Sequence, residues 1–324
     1  MTRDASWRRR VEARRAAVPD TPTPTLEQIR EVVRRHRLDV SPEDVEALPA
    51  IGTVNTALAL GNRLVLRIPR PHGVGDTQTE SVAAPAAVAA GVTTPALVVY
   101  DDSRTVFDVP YTVYERVQGT NFGLEDLDPD RSGPIYREIG RELAILHERV
   151  TDVPDPMGYL KQPHRPDPAD LLEYLESEHY LSSYNVRWLT RVFDRLRPAV
   201  EEARGFRRFL HNDVLPTNVL VRDGRFAALI DWNDCGWGDP ALELAALPCR
   251  ALPAVLEGYQ GVAPMDGAST VAHRALWDQL CAALEFLLAP VDRASISWAR
   301  PPFARLTEIV AMAARDRTWS DLLI

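Results

Sequence analysis

Leu64, Leu66 and Ile68 alternate with Arg63, Val65 and Arg67, a period of two that predicts a strand with one buried face. Just upstream, Ile51–Leu60 reads as strand, turn and strand, and Gly61-Asn62 marks the next turn. Residues 105–116 hold a further apolar stretch. From Pro129 the period changes: Ile139, Leu143 and Leu146 recur at i, i+4 and i+7, as on one face of a helix. Helical patterns return over 170–181, 186–200, 241–259, 269–289 and 301–315. Ahead of the strands, Thr25 and Gln28 have capping-box spacing, which predicts a helix from Leu26 to about His36. Ser41-Pro42-Glu43-Asp44 reads as a second helix start, with proline at the first helical position.

Between the two helical runs lies one hairpin. Asn218–Arg222 and Arg225–Ile230 are apolar segments joined by Asp223-Gly224, a two-residue turn whose central positions favour φ > 0. Taken as a regular ladder, Asn218 faces Leu229 and Asp231 faces Pro216. Asn218 and Asp231 then meet at the open end of the hairpin, beside the loop that carries Asp213. The sequence of strands, helices, hairpin and helices predicts an α+β protein of two lobes, a small antiparallel-sheet lobe and a larger, mainly helical one. The expected divisions are a basic N-terminal segment and linker over 1–25, the first lobe over 26–118 and the second over 119–324. The alternating Pro and Thr of 19–25 mark the linker, and the Arg-rich residues 1–18 read as a solvated helix or frayed terminus.

A net charge of -9 argues against nucleic acid, whose binding depends on neutralising phosphates. It suits attraction of polycationic small molecules. The three cysteines, Cys235, Cys249 and Cys281, are odd in number and lack C-x-x-C spacing. They read as reduced thiols of a cytoplasmic protein rather than a disulfide frame or zinc site. Pro85, Gly91 and Pro95 break the alanine-rich stretch 82–100, so no membrane span is expected.

The chemistry sits in His211-Asn212-Asp213-Val214-Leu215-Pro216-Thr217-Asn218 and Leu229-Ile230-Asp231-Trp232. A loop carboxylate, an amide five residues later and a second carboxylate past a hairpin suit phosphoryl transfer from a magnesium nucleotide. Asp213 would take or orient the proton of an acceptor hydroxyl, and Asn218 and Asp231 would ligate Mg2+ through oxygen. His211 is expected to support the loop by hydrogen bonding. Asp239, ahead of Pro240, reads as a helix N-cap.

These segments, with Gly236-Trp237-Gly238-Asp239-Pro240-Ala241-Leu242-Glu243-Leu244-Ala245, resemble the aminoglycoside phosphotransferase family, a branch of the protein-kinase-like fold. One departure is Asn212, where the family usually has glycine. No Arg separates His211 from Asp213 and no D-F-G triplet follows, which separates the chain from protein kinases and favours a small-molecule acceptor. The resemblance implies ATP or GTP as phosphoryl donor and further binding residues. Gly52, Thr53 and Asn55 match the phosphate loop, and Arg67 takes the place of the phosphate-holding lysine. Glu80 is the partner carboxylate by order, but Pro85 points to a helix that begins only near Ala84. Alignment on Gly119 gives the Glu115 carbonyl and the Val117 N–H as adenine contacts in the lobe hinge.

The implied acceptor is a hydroxylated, cationic antibiotic, an aminoglycoside or cyclic peptide, and the implied outcome is resistance by inactivation. The acceptor should dock against the C-terminal helices and the 155–185 segment. Acidic residues there are Asp167, Asp170, Glu173, Glu176 and Glu178, with Glu257, Asp278 and Glu285 later in the chain. Two other readings stay open: a metabolic or biosynthetic small-molecule kinase with the same loop, and a nucleotide-binding regulator without catalysis.

Overall fold

The computed structural model describes residues 7–8, 12, 23–48, 55–70, 73–124, 129–289 and 303–323. Helix α1 (Leu26–Arg35) starts at the expected capping box: Thr25 Oγ1 accepts the Gln28 N–H at 3.2 Å and Gln28 Oε1 accepts the Thr25 N–H at 2.9 Å. The second helix start does not materialise. Ser41–Asp44 closes a turn through the Asp44 N–H and Ser41 carbonyl, and the chain continues as strand β1 (Val45–Ala47). Pairing of Val45 with Leu60 gives this short segment a sheet edge, and that tertiary ladder overrides the local capping signal.

Strands β2 (Asn55–Leu60), β3 (Leu64–Pro69), β4 (Leu97–Asp101) and β5 (Tyr111–Glu115) complete an antiparallel sheet in the order β1-β2-β3-β5-β4. Leu64, Leu66 and Ile68 share a buried face, as their alternation predicts, and pack with Val113, Ile29 and Val32. Burying each such side chain stabilises by about 1.5–3 kcal/mol. Of the apolar stretch 105–116, only Tyr111–Glu115 is strand. Residues 51–54, and with them the first half of the strand–turn–strand reading, lie outside the described residues.

Helix α2 (Val74–Ala90) corrects the expectation drawn from Pro85. The helix begins ten residues before Ala84 and passes through the proline, which is exposed. Pro85 cannot donate to the Ser81 carbonyl. Burial of Ala83, Ala84, Ala87 and Ala90 in the main core offsets that loss. Gly91, at φ 83°, then ends the helix.

The larger part is mainly helical. Helix α3 (Pro129–Arg149) runs against α6 (Leu252–Gln260) at glycine contacts: a Cβ on Gly140 would lie 1.9 Å from the Val255 carbonyl oxygen. Helices α4 (Ala169–Ser177), α5 (Ser183–Glu202), α7 (Val271–Phe286), α8 (Ala304–Ala313) and α9 (Arg317–Leu323) fill the remainder. The run 241–259 is not one helix. Pro240–Ala246 and Cys249–Ala251 are 3-10 turns, and α6 begins after them, because Pro248 interrupts the pattern. Helix α4 stops short of Leu181, where His179 takes φ 61°.

Two small sheets carry the loops of interest. Strand β6 (Thr120–Asn121) pairs with β8 (Val219–Arg222), which pairs with β9 (Arg225–Leu229). Strand β7 (Arg208–Leu210) pairs with β10 (Gly236–Gly238). The hairpin register differs from the regular ladder. Val221 faces Phe226, but Val219 faces Leu229, with a bulge between them. The bulge moves the pairing by one residue, so the Asn218 carbonyl accepts from the Ile230 N–H at 2.9 Å instead of Asn218 facing Leu229. Asn218 and Asp231 still lie at the same open end. All three cysteines are buried free thiols, and among the described residues no helix is long and apolar enough to cross a membrane.

Candidate active site

The loop after β7 is held from below by one carboxylate. Glu243 accepts the His211 N–H at 2.7 Å and the Asn212 N–H at 2.9 Å. It is fully buried, and His147 Nε2 lies 3.4 Å away with Tyr259 behind it. The His211 ring bridges two segments: Nδ1 accepts from the Asp213 N–H at 3.4 Å, and Nε2 faces the Ile230 carbonyl at 3.1 Å. That network places the ring proton on Nε2. Burial lowers the His211 pKa, so the ring is neutral and acts as scaffold, in line with the sequence reading. Asn212 has φ 63°, the left-handed region that asparagine tolerates better than most residues, which reconciles it with the family's glycine.

Asp213 and Asn218 are brought together as the spacing requires. The Asn218 amide nitrogen donates to both the main-chain carbonyl and Oδ2 of Asp213, each at 2.8 Å. Burial pushes the Asp213 carboxyl well above the usual range, and the charges of Asp234 and Asp231 add to the effect.

Asp231 follows the hairpin at φ 75°, an uncommon backbone state for aspartate. Its carboxylate is bonded by Arg67, whose other guanidinium nitrogen lies 2.9 Å from Glu80. Arg67 thus joins β3, α2 and the metal-ligand candidate in one contact set. Burial opposes the Arg67 charge, and the two carboxyls outweigh it. Burial alone would raise the Asp231 pKa, but the charge and hydrogen bond of Arg67 hold it below the usual value. Glu80 is pushed up to about 8 by burial, against Arg67 and with Asp231 adding to the rise. Tyr114 donates to Glu80 Oε2 at 2.9 Å.

Several other candidates have plainer settings. Glu115 gives its N–H to the Ala96 carbonyl, and in an extended strand its own carbonyl points the same way, away from β3. Val117 follows in the connection to β6, and Asn55 opens β2 opposite Pro69. Gly52 and Thr53 lie outside the described residues. Asp239 caps the 3-10 turn at Pro240 by accepting the Ala241 N–H at 3.0 Å. The acidic residues expected near an acceptor divide. Asp278 is buried in a two-pronged pair with Arg165, at 2.8 and 2.9 Å, and Glu257 pairs with Arg137, so both have structural partners. Glu173 and Glu176 line a cavity of about 220 Å³ between α4 and α5.

Glu243, Tyr114 and Asp234 complete the site without having been singled out in the sequence. Glu243 had two signals, its place in the Gly236–Ala245 segment and its being a lone carboxylate inside the apolar run Ala241–Ala245. Tyr114 and Asp234 had none.

Among the described residues no group of three or more His, Cys, Asp and Glu forms a ready metal cage. The donor set still fits Mg2+, which takes one or two carboxylates and completes its shell with water and phosphates. Asn218 turns its nitrogen to Asp213, which leaves the amide oxygen as donor, and Asp231 is held ionised. The mutual repulsion of Asp213, Asp231 and Asp234 is also what a divalent cation relieves.

Comparison with known proteins agrees with this geometry. No curated protein sequence matches the chain. Among solved structures, the GDP complex of wild-type aminoglycoside 2'-phosphotransferase-IIIa superposes with TM-score 0.61 at 17% identity, covering 93% of this chain and 97% of that one. A streptomycin–ATP–APH(2")-IIa ternary complex gives TM-score 0.59 at 14% identity, covering 94% and 100%. A choline/ethanolamine kinase family protein from Mesorhizobium loti gives TM-score 0.61 at 20% identity, covering 92% and 97%. At these identities the likeness establishes the two-lobed kinase-like fold. The sequence model described as the phosphotransferase enzyme family matches residues 45–264, more than half of the chain, and this protein belongs to that family.

Proposed function

We propose that the chain transfers the γ-phosphate of ATP or GTP to a hydroxyl of a small cationic molecule. The acceptor we favour is an aminoglycoside or cyclic-peptide antibiotic, which the transfer would inactivate. The observation that carries this reading is the pairing of Asp213 with Asn218 beside Asp231, itself anchored by Arg67. In this reading Asp213 accepts or orients the acceptor proton, and its raised pKa makes it a stronger base than an ordinary aspartate. His211 and Glu243 hold the loop that carries Asp213. Asn218 and Asp231 hold Mg2+, which supplies charge neutralisation for the nucleotide phosphates when bound. Arg67, positioned by Glu80, steadies the phosphates, and Gly52, Thr53 and Asn55 are assigned to the same phosphate contact by their resemblance to the family's phosphate loop. The Glu115 carbonyl and Val117 N–H receive the adenine.

The functional division follows: residues 26–118 serve the nucleotide and 119–324 serve catalysis and the acceptor. An excess of carboxylates, in a chain of net charge -9, supports a cationic acceptor and speaks against nucleic acid, and three free thiols fit a cytoplasmic protein. Aminoglycoside phosphotransferases among the structural relatives support the antibiotic reading, and the choline/ethanolamine kinase family relative supports a metabolic amino-alcohol kinase as the second.

The test is mass spectrometry of acceptors after incubation with MgATP or MgGTP. The panel holds aminoglycosides, cyclic peptides, macrolides and amino alcohols. Phosphate gain on one antibiotic class supports the first reading, gain on amino alcohols alone supports the second, and gain on none contradicts both.

A further inference from the structure

Helix α2 carries Glu80 to Arg67; Asp76 lies one turn before Glu80 on the same face, and Thr79, three residues after Asp76, lies beside both. Asp76 and Thr79 are held from the larger lobe by one short strap. Lys161 Nζ lies 2.8 Å from Asp76 Oδ1, and Thr79 Oγ1 donates to the Tyr159 carbonyl at 2.7 Å. Thr79 is fully buried, and the side chains of Lys161 and Asp76 are 36% and 24% exposed.

The strap is itself fixed. Asp155 accepts the N–H groups of Tyr159 and Leu160 at 2.8 and 2.9 Å, which shapes the turn before Lys161. The Lys161 N–H donates to the Cys235 carbonyl at 2.8 Å, and Lys161 pairs with Gly236 in a parallel bridge. Gly236 permits that approach, since a Cβ there would lie 2.2 Å from the Lys161 carbonyl oxygen. Asp231 begins the segment that ends in this bridge. One residue therefore ties the chain that follows Asp231 to the helix that carries Glu80.

We propose that Lys161 is a positioning residue for the nucleotide site, setting the rotation of α2 through Asp76 so that Glu80 meets Arg67. This rests on the nucleotide-binding reading above. Asp76, Thr79 and Glu80 lie within about 6 Å along the helix axis, so a turn of the helix that frees Asp76 also swings Glu80 off Arg67. Lys161 acts through the helix and touches no reacting atom.

The test is MgADP affinity by calorimetry on the full chain, with Tm recorded for every variant. Lys161→Met and Asp76→Asn should each weaken MgADP at least threefold, with Tm close to that of the unaltered protein. The exchanged pair, Lys161→Asp with Asp76→Lys, should recover most of the loss. In a Glu80→Gln background, Lys161→Met should change the affinity by less than twofold, because the step it acts through is already gone. A loss below threefold in both single variants overturns the proposal, as does absence of recovery in the exchanged pair or full additivity with Glu80→Gln. If the unaltered chain does not bind MgADP, the nucleotide reading itself fails, a different outcome from equal binding by the chain and its variants.

Discussion

Asp213 accepts a proton only when ionised, and its pKa is raised first by burial and then by Asp234 and Asp231. The rate should therefore fall as pH drops through that raised value, on a limb well above the ordinary aspartate range. Asp234→Asn removes one neighbouring negative charge and should move the acid limb of kcat/KM to lower pH; a limb that stays put would contradict the coupling. Asp231→Ala should weaken metal-dependent nucleotide binding by at least about tenfold, since losing even a residue that only supports a metal ligand costs about 10–100-fold. Titration with MgADP and with metal-free ADP checks it, and equal affinity in variant and parent would remove Asp231 from the metal site. At this scale the sequence was informative where chemistry is ordered along the chain. Asp213, Asn218 and Asp231 lie on one loop and one hairpin, so spacing alone brought them together. Glu243, Tyr114 and Lys161 reach the site from other segments, so spacing along the chain cannot bring them to it, even where Glu243 stands out as a carboxylate in an apolar run.

Among the elements, β3 and α1 were legible because a period of two and a capping box act locally. The misreadings have a common physical cause, the dominance of tertiary contact over local preference. Val45 joined a sheet edge despite the helix-start signal before it, and α2 ran through Pro85 because its alanine face is buried. The hairpin turn was readable from Asp223-Gly224, whereas the bulge that shifts Asn218 onto Ile230 was not. Replacing Pro85 by alanine should restore a donor to the Ser81 carbonyl. A helix-interior proline costs about 3 kcal/mol, so even partial recovery should raise Tm by about 3 °C, read by calorimetry. A fall in Tm would mean that the helix needs its proline.

Across the whole molecule, acid stability should depend on ion pairs that join separate segments of the chain. Asp266 accepts from Arg208 Nε at 2.7 Å and Nη2 at 3.0 Å, joining β7 to the chain after α6. Those hydrogen bonds hold its carboxyl below the usual range, with Arg208's charge assisting and partial burial opposing. A carboxyl with a lowered folded pKa contributes its stabilisation above the unfolded value and loses it as pH falls through the folded one. Asp266→Asn should thus lower Tm at pH 7 and flatten its decline below about pH 4. A parallel decline in both proteins would show that the pair carries no acid sensitivity.

The central claim is that Asp213 performs chemistry in a nucleotide site that forms without it. The most direct measurement compares Asp213→Asn with the parent for MgADP affinity and for turnover on the acceptor found in the panel. The account predicts a loss of turnover of about 10²–10⁴-fold with MgADP affinity within about threefold of the parent. Turnover that survives in the variant would contradict it.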